Sequence, residues 1–426
     1  MVDLCIRILG SLPLLVILVL LSPVVTPLGG GSASAQSFEA PAQIQAQEVL
    51  APMLLVSDVH RVEPTARVED NLLRFEFISD YGGYEVTSIA LLERRVAEAA
   101  TLARVVEQFE RQMAGRSGTR GRDSLFGSGQ DLRELSPSSA GASTLSSQLS
   151  QNDVILTTRG GGRTKARSTT VVADEADPIY DAHKRNVAFQ TGLDPYSTNR
   201  RVQQFLRDVA SARTHGRFSA GTGLVLPARR ATSGQVEGGR IDAEVRSLLK
   251  HLDAGELDAG LESELISMGV SEASARAFLI NPNFTMSTKA SLAAHVDYLG
   301  RVDGRAAVFE AASRARSEAE AVSFEQFARM LALYHEKVGK IRQFISGGSS
   351  LPGAVRADGA LVLMLPVDYV YWTAAAAKTF DSLRAAQGIS ATRPIELVVR
   401  GRLTPRAQRE LAARGVTTRV SFLTAL

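Results

Sequence analysis

The chain has 426 residues, 45% hydrophobic and 22% charged, enough apolar content for a sizeable buried core over more than one ordinary domain. Its 48 Lys and Arg against 45 Asp and Glu leave a formal charge of +3, too small a surplus over this length for phosphate recognition, so no nucleic-acid partner is expected. The single cysteine is Cys5.

In chain order, Arg7, an apolar run from Ile8 to Val25 and small residues ending Ala33-Ser34-Ala35 form the three-part layout of a secretory signal peptide. Cleavage is predicted between Ala35 and Gln36, placing the protein in the periplasm or cell envelope. Processing would discard Cys5, leaving a mature chain without disulfide, thiol nucleophile or cysteine-ligated zinc. The alternative is an uncleaved inner-membrane anchor at residues 8–25, although Pro13 and Pro23 interrupt a run of marginal length.

Residues 36–71 read as a low-complexity, extended N-terminal segment. Leu72 to Ile78 has strand composition and Asp80-Tyr81-Gly82-Gly83 is a turn signal before Tyr84 to Val86, predicting a β-hairpin. From Ile89 to Met113, Leu92, Val96, Ala99, Ala103, Val106 and Met113 recur at helical spacing, with Glu93, Arg94, Arg95 and Glu98 assigned to the exposed side. That stripe is expected to pack on the protein's own core rather than on a partner. Together these predict a hairpin-plus-helix unit over 72–114.

Residues 115–175 are rich in Ser, Gly, Thr and Arg and read as a mainly disordered linker. Its basic spot, Arg159, Arg163, Lys165 and Arg167, is read as part of that solvated linker. A helical domain is expected over 176–346. Tyr180 to Gln190 forms one helix, Val202, Phe205, Leu206 and Val209 mark the buried side of another, and breaks fall at Met268-Gly269-Val270-Ser271 and Asn281-Pro282-Asn283. Ser317 with Glu320 opens the longest helix, whose stripe runs Phe324, Phe327, Leu331, Tyr334, Val338, Ile341 and Ile345, with Glu325–Arg329 and Glu336–Lys340 as flanking pairs.

Residues 347–426 read as a small α/β appendage. It comprises a hairpin around Asp358-Gly359, a helix from Thr373, a strand at Ile395 to Val399, a helix opening at Thr404-Pro405 and a strand at Val416 to Phe422. The fold class expected is α+β, predominantly helical.

Chemistry-bearing patterns are few. His335-Glu336 is half of a zinc-protease motif, but the position four residues on is Gly339 rather than a second histidine, so no metal is assigned. Ser247 and Lys250 fit S-x-x-K, yet Lys378-Thr379-Phe380 lacks the glycine of the companion K-T-G. Asn283-Phe284-Thr285, formally a glycosylation sequon, reads as turn and cap.

Asp194, Tyr196 and Asn199 lie in a cluster that could line a binding site, and the same residues are what a turn followed by a helix cap requires. The aromatic stretch Pro366 to Thr373 holds the only tryptophan, Trp372, at a strand-to-helix junction where clefts form. With His335, its Asp368 and Tyr369 could make an acid/base site. The competing reading has Tyr369 and Trp372 packing the two C-terminal parts together and Asp368 capping a helix.

Seven segments together resemble an uncharacterised family of exported proteobacterial proteins. They are Gly83-Tyr84-Glu85-Val86 with Leu91-Leu92-Glu93-Arg94-Arg95, Gly192-Leu193-Asp194-Pro195-Tyr196-Ser197-Thr198-Asn199, Leu333-Tyr334-His335, Leu365-Pro366-Val367-Asp368-Tyr369, Trp372-Thr373, and Gly401-Arg402-Leu403-Thr404-Pro405-Arg406-Ala407. The chain departs from the pattern in its long Ser/Gly linker and in Ser197, where threonine is expected.

The resemblance implies no activity and no cofactor. Three functions are therefore carried forward: a structural or interaction protein of the envelope acting through the linker or the helix at 89–113, a metal-independent envelope hydrolase, and a membrane-anchored periplasmic protein. Partners would be envelope proteins or the membrane surface.

Overall fold

The computed structural model describes residues 38–40, 43–114, 178–214, 239–345, 351–386 and 393–423. The Ala35–Gln36 junction, the apolar run at 8–25 and the 115–175 linker lie outside these residues.

The first unit is an antiparallel sheet crossed by one long helix. Its strands are β1 (Ile44–Gln45), β2 (His60–Val62), β3 (Thr65–Glu69), β4 (Leu72–Ser79) and β5 (Gly82–Thr87). β4 is central: β2 and β3 follow one another along one of its edges, interrupted at Pro64, and β5 takes the other. The predicted hairpin is therefore β4–β5. Residues 36–71 are not extended low-complexity chain as expected, since they supply three strands and the short helix α1 (Pro52–Leu55). The β3–β4 turn is built on Asp70 and Asn71, both at positive φ (49° and 64°), the backbone that a two-residue hairpin loop needs. Leu73, Phe75 and Phe77 alternate inward along β4 and pack beneath α2 (Ile89–Ala114) on Leu91, Leu92 and Ala99.

Helix α2 is covered on two sides. Leu102 and Val105 continue its buried line into α3 (Pro178–Thr191) and α4 (Arg200–Thr214), where they meet Val187, Val202, Phe205, Leu206 and Val209. The first part of the expected stripe, Leu92, Val96 and Ala99, thus packs on the protein's own core, while beyond it the buried line shifts to Leu102 and Val105 in place of Ala103 and Val106. Arg95 and Glu98 do not face solvent as the periodicity predicts: each is only 6% exposed. They lie in a polar stripe beside the apolar one, covered by the Ser197–Asn199 loop and a later helix.

Five shorter helices follow: α5 (Gly239–His251), α6 (Ala254–Ser267), α7 (Glu272–Leu279), α8 (Met286–Asp297) and α9 (Ala306–Ala312). Gly269, at φ +89°, ends α6, and the Ser271 hydroxyl caps α7 by accepting the Ser274 N–H. The longest helix here is α10 (Glu318–Lys337), capped by Ser317, which accepts the Glu320 N–H. The Glu320 carboxylate takes the Arg316 N–H rather than closing the capping box on Ser317.

α10 stops at Lys337 although Val338, Ile341 and Ile345 prolong its apolar spacing. Residues Ile341–Ile345 are instead strand β6, paired with β7 (Gly353–Arg356). Lys340 consequently lies beyond the helix and cannot form the expected pair with Glu336. The remaining strands are β8 (Leu361–Leu365), β9 (Tyr369–Val370), β10 (Ile395–Val399), β11 (Arg402–Leu403) and β12 (Val416–Arg419).

The main sheet runs β12-β10-β8-β7-β6, with β8, β10 and β12 parallel, joined through α11 (Ala374–Ala386) and α12 (Pro405–Ala413). Val362, Met364 and Val398 enter the same core as Phe327 and Leu331 of α10, so this unit is a layer of the main body rather than an appendage. The architecture is mixed α+β. No helix among the described residues is long and apolar enough to cross a membrane.

Candidate functional site

The Asp194–Asn199 loop begins where α3 ends. Gly192, at φ +82°, and Leu193 both direct their N–H to the Ala188 carbonyl, turning the chain back. Asp194 Oδ1 then accepts the Tyr196 N–H at 2.9 Å and the Ser287 hydroxyl of α8. Asn199 caps α4 by accepting the Arg201 N–H at 3.0 Å, and its amide donates to Glu98 at 3.0 Å. The Tyr84 hydroxyl of β5 reaches Asn199 Oδ1 at 2.9 Å. Ser197 donates to the other Glu98 oxygen, and Thr198 donates to Glu318 at 2.6 Å. Arg95 joins Glu98 at 3.0 Å and Glu318 at 2.9 Å. The turn-and-cap reading is therefore realised, and the partners these polar groups find are other parts of this chain.

A second group continues this network along α10. Arg94 pairs with Glu325 at 2.6 Å and reaches Thr288 at 3.3 Å. Arg329 pairs with Glu325 at 3.4 Å and grips both oxygens of Asp242 at 2.6 and 2.9 Å. His295 lies 4.0 Å from Asp242, its Nδ1 against the Ser291 carbonyl at 2.7 Å and its buried Nε2 without a hydrogen-bond partner.

Burial alone would raise the Glu325 carboxyl, but Arg94 and Arg329 outweigh it and hold the group at about 2. Burial and then Arg329 push His295 below its usual range. Burial likewise raises Asp194 and the Tyr84 phenol. Each carboxylate in this network is held by at least one guanidinium, hydroxyl or amide. Sequence reasoning singled out Asp194, Tyr196 and Asn199 and the local Glu325–Arg329 pair, which forms. It missed the part played by Glu98, Glu318, Asp242 and His295 and the link from Glu325 to Arg94, because those contacts join residues far apart along the chain.

The proposed acid/base trio is not assembled. Asp368, 1% exposed, accepts the Leu73 N–H at 3.0 Å and the Ile89 N–H at 2.9 Å, with Arg400 at 3.5 Å. Its carboxyl is pushed up to about 6 by burial, against the opposing pull of Arg400 and the two amides. It caps a helix, as the structural reading expects, but the helix is α2. Tyr369 packs on the hydrophobic cluster that contains Val322 of α10.

His335, in the last turn of α10, is engaged elsewhere, its Nδ1 accepting the Ile341 N–H at 3.1 Å. Trp372, 1% exposed, is core, stacked near Phe380 with the Arg414 guanidinium 4.6 Å from its ring centre. The S-x-x-K pair is not joined either. Ser247 faces His251, while the Lys250 ammonium sits over the Phe189 ring.

On the outer face of the first sheet, a shallow depression of about 220 Å³ is bordered by Gln43, Glu63, Thr65, Arg67, Arg74, Glu76 and Glu85. Its charges answer one another, with Arg74–Glu85 at 3.2 Å and Arg67–Glu76 at 3.7 Å. Strict alternation along β4 was the available signal for it. Among the described residues no group of three His, Cys, Asp or Glu could hold a metal ion. No family model, curated protein or solved structure matches the chain.

Proposed function

We propose that this chain is an exported protein of the cell envelope that acts by binding or supporting other envelope components, and that it belongs with the exported proteobacterial family its segments resemble. The observation that carries the reading is how the polar side chains of those segments are used. Arg94, Arg95, Ser197, Thr198, Asn199, Asp368 and Arg402 are all engaged in joints between parts of the same chain. The leader-like layout ending at Ala35 supports export. Because the apolar side chains of α2 from Leu91 to Val105 are taken up by the protein's own cores, partner contact is assigned to the 115–175 segment.

The test combines fractionation, N-terminal sequencing and cross-linked co-purification of the full chain. The expected result is an envelope or periplasmic protein beginning at Gln36 whose partner is lost when 115–175 is exchanged for a neutral Gly/Ser stretch of equal length. Recovery only from the cytoplasm, or retention of the partner after the exchange, would overturn it. A chain beginning at Met1 in the membrane fraction would favour the anchored form.

A further inference from the structure

The first unit is completed by residues that follow it by about three hundred positions. Helix α2 starts with N–H groups that no earlier turn can satisfy. Ser88 takes the Leu91 N–H, but the Ile89 N–H goes to Asp368, 279 residues away. The same carboxylate takes the Leu73 N–H, and the Asn71 carbonyl at the β3–β4 turn accepts the N–H groups of both Asp368 and Tyr369 at 3.1 Å.

Further toward the N-terminus, Glu39 donates its N–H to the Trp372 carbonyl at 2.9 Å. Its carboxylate accepts the Trp372 N–H at 2.6 Å and the Thr404 hydroxyl at 2.7 Å. Arg400 pairs with Glu93 at 2.7 Å, and Arg402 donates to the Glu48 carbonyl at 2.6 Å.

These contacts converge on one rim. Asp368 and Arg400 follow the carboxyl ends of the parallel strands β8 and β10, where open α/β sheets form their crevice. Here the β3–β4 turn and the start of α2 fill that crevice. The rim is held by Gly401, whose N–H bonds the Val367 carbonyl and whose missing side chain leaves room for the Asp368 backbone. Such long-range contacts reward folding only after the largest loops have closed.

We infer that the rim formed by residues 367–372 and 400–404 is a late-closing clasp: the N-terminal unit acquires its native structure only when the C-terminal parallel sheet is in place. The order runs opposite to the N-terminal-first folding usual for a chain made as separate domains. Its use, though not the clasp itself, rests on the export reading, because an N-terminal end that cannot close early stays threadable until the last residues arrive.

Pulsed hydrogen exchange during refolding of the full mature chain tests the order. Amides of β4 are expected to gain protection together with or after those of β8 and β10, and protection of β4 in an earlier phase would overturn the inference. Asp368→Asn and Glu39→Ala, each in the full chain, should speed unfolding by about tenfold and leave refolding within about twofold, the signature of contacts made after the transition state. Refolding slowed in proportion would overturn it as well. If Asp368→Asn does not fold, Glu39→Ala and the wild-type labelling still decide. A cytoplasmic location would remove the export reading while leaving the labelling result standing.

Discussion

Replacing Glu325 by Gln keeps its shape and removes the one charge that Arg94 and Arg329 share. The side chain is 5% exposed and its oxygens lie 2.6 Å from Arg94 and 3.4 Å from Arg329. Holding this carboxyl at about 2 rather than 4.5 corresponds to about 3 kcal/mol of stability at neutral pH. Removing one member of a buried ion pair costs about 3–5 kcal/mol by a separate route, so the two estimates agree in size.

Because the folded value is depressed, the contribution is whole above pH 4.5 and disappears as pH falls toward 2. Urea unfolding of Glu325→Gln at pH 7 should therefore show a loss of about 3 kcal/mol at unchanged slope. The variant should also lack the part of the acid destabilisation that wild type shows between pH 4.5 and 2. A double-mutant cycle with Arg94→Met should give a coupling of about 2 kcal/mol, the remainder lying with Arg329. A loss under about 1 kcal/mol, or an acid profile identical to wild type, would refute the assignment of this pair as a principal tie between α2 and α10.

Asn199→Ala removes a helix cap and takes one hydrogen bond each from Glu98 and Tyr84, so chemical denaturation should show a loss of about 2 kcal/mol, above that of an exposed cap alone. Gly401→Ala would drive a methyl group into the Asp368 backbone, and soluble yield and thermal unfolding should reveal a loss above about 4 kcal/mol. His295 faces Asp242, Arg329 and Glu325, and its lowered value makes the unfolded chain the better proton acceptor. Its share of stability is intact above 6.5 and is lost as pH falls below that value. Urea midpoints at pH 7 and 5 should therefore differ less in His295→Asn than in wild type.

The elements that follow from local spacing were legible in the chain. The β4–β5 hairpin, α2 and the alternation from β7 to β12 each carry their signal within a few residues. The boundary between α10 and β6 was not, because Val338, Ile341 and Ile345 satisfy helical spacing and only pairing with β7 makes Ile341–Ile345 a strand. The strands at 44–69 were hidden for a similar reason. They are short, and their apolar residues Ile44, Val62 and Ala66 become a pattern only once the neighbouring strands lie beside them.

The polar network was illegible as a site because a carboxylate such as Glu98 has its partners about 100 residues away, in Ser197 and Asn199. On a helix it reads as a solvated face. What the chain did display was a set of segments in order, and the structure brings most of them against one another.

The way guanidiniums and carboxylates are shared across α2, the Asp194–Asn199 loop and α10 has a consequence for how this sequence can drift. Glu325 serves two arginines, and Arg95 serves two glutamates and a threonine. An exchange at Arg95, Glu98 or Glu325, each nearly fully buried, leaves a charged neighbour short of its partner, so changes there are tolerated best when concerted. The constraint thus falls on a few short words of the chain, whose spelling is bound together across long distances in the sequence.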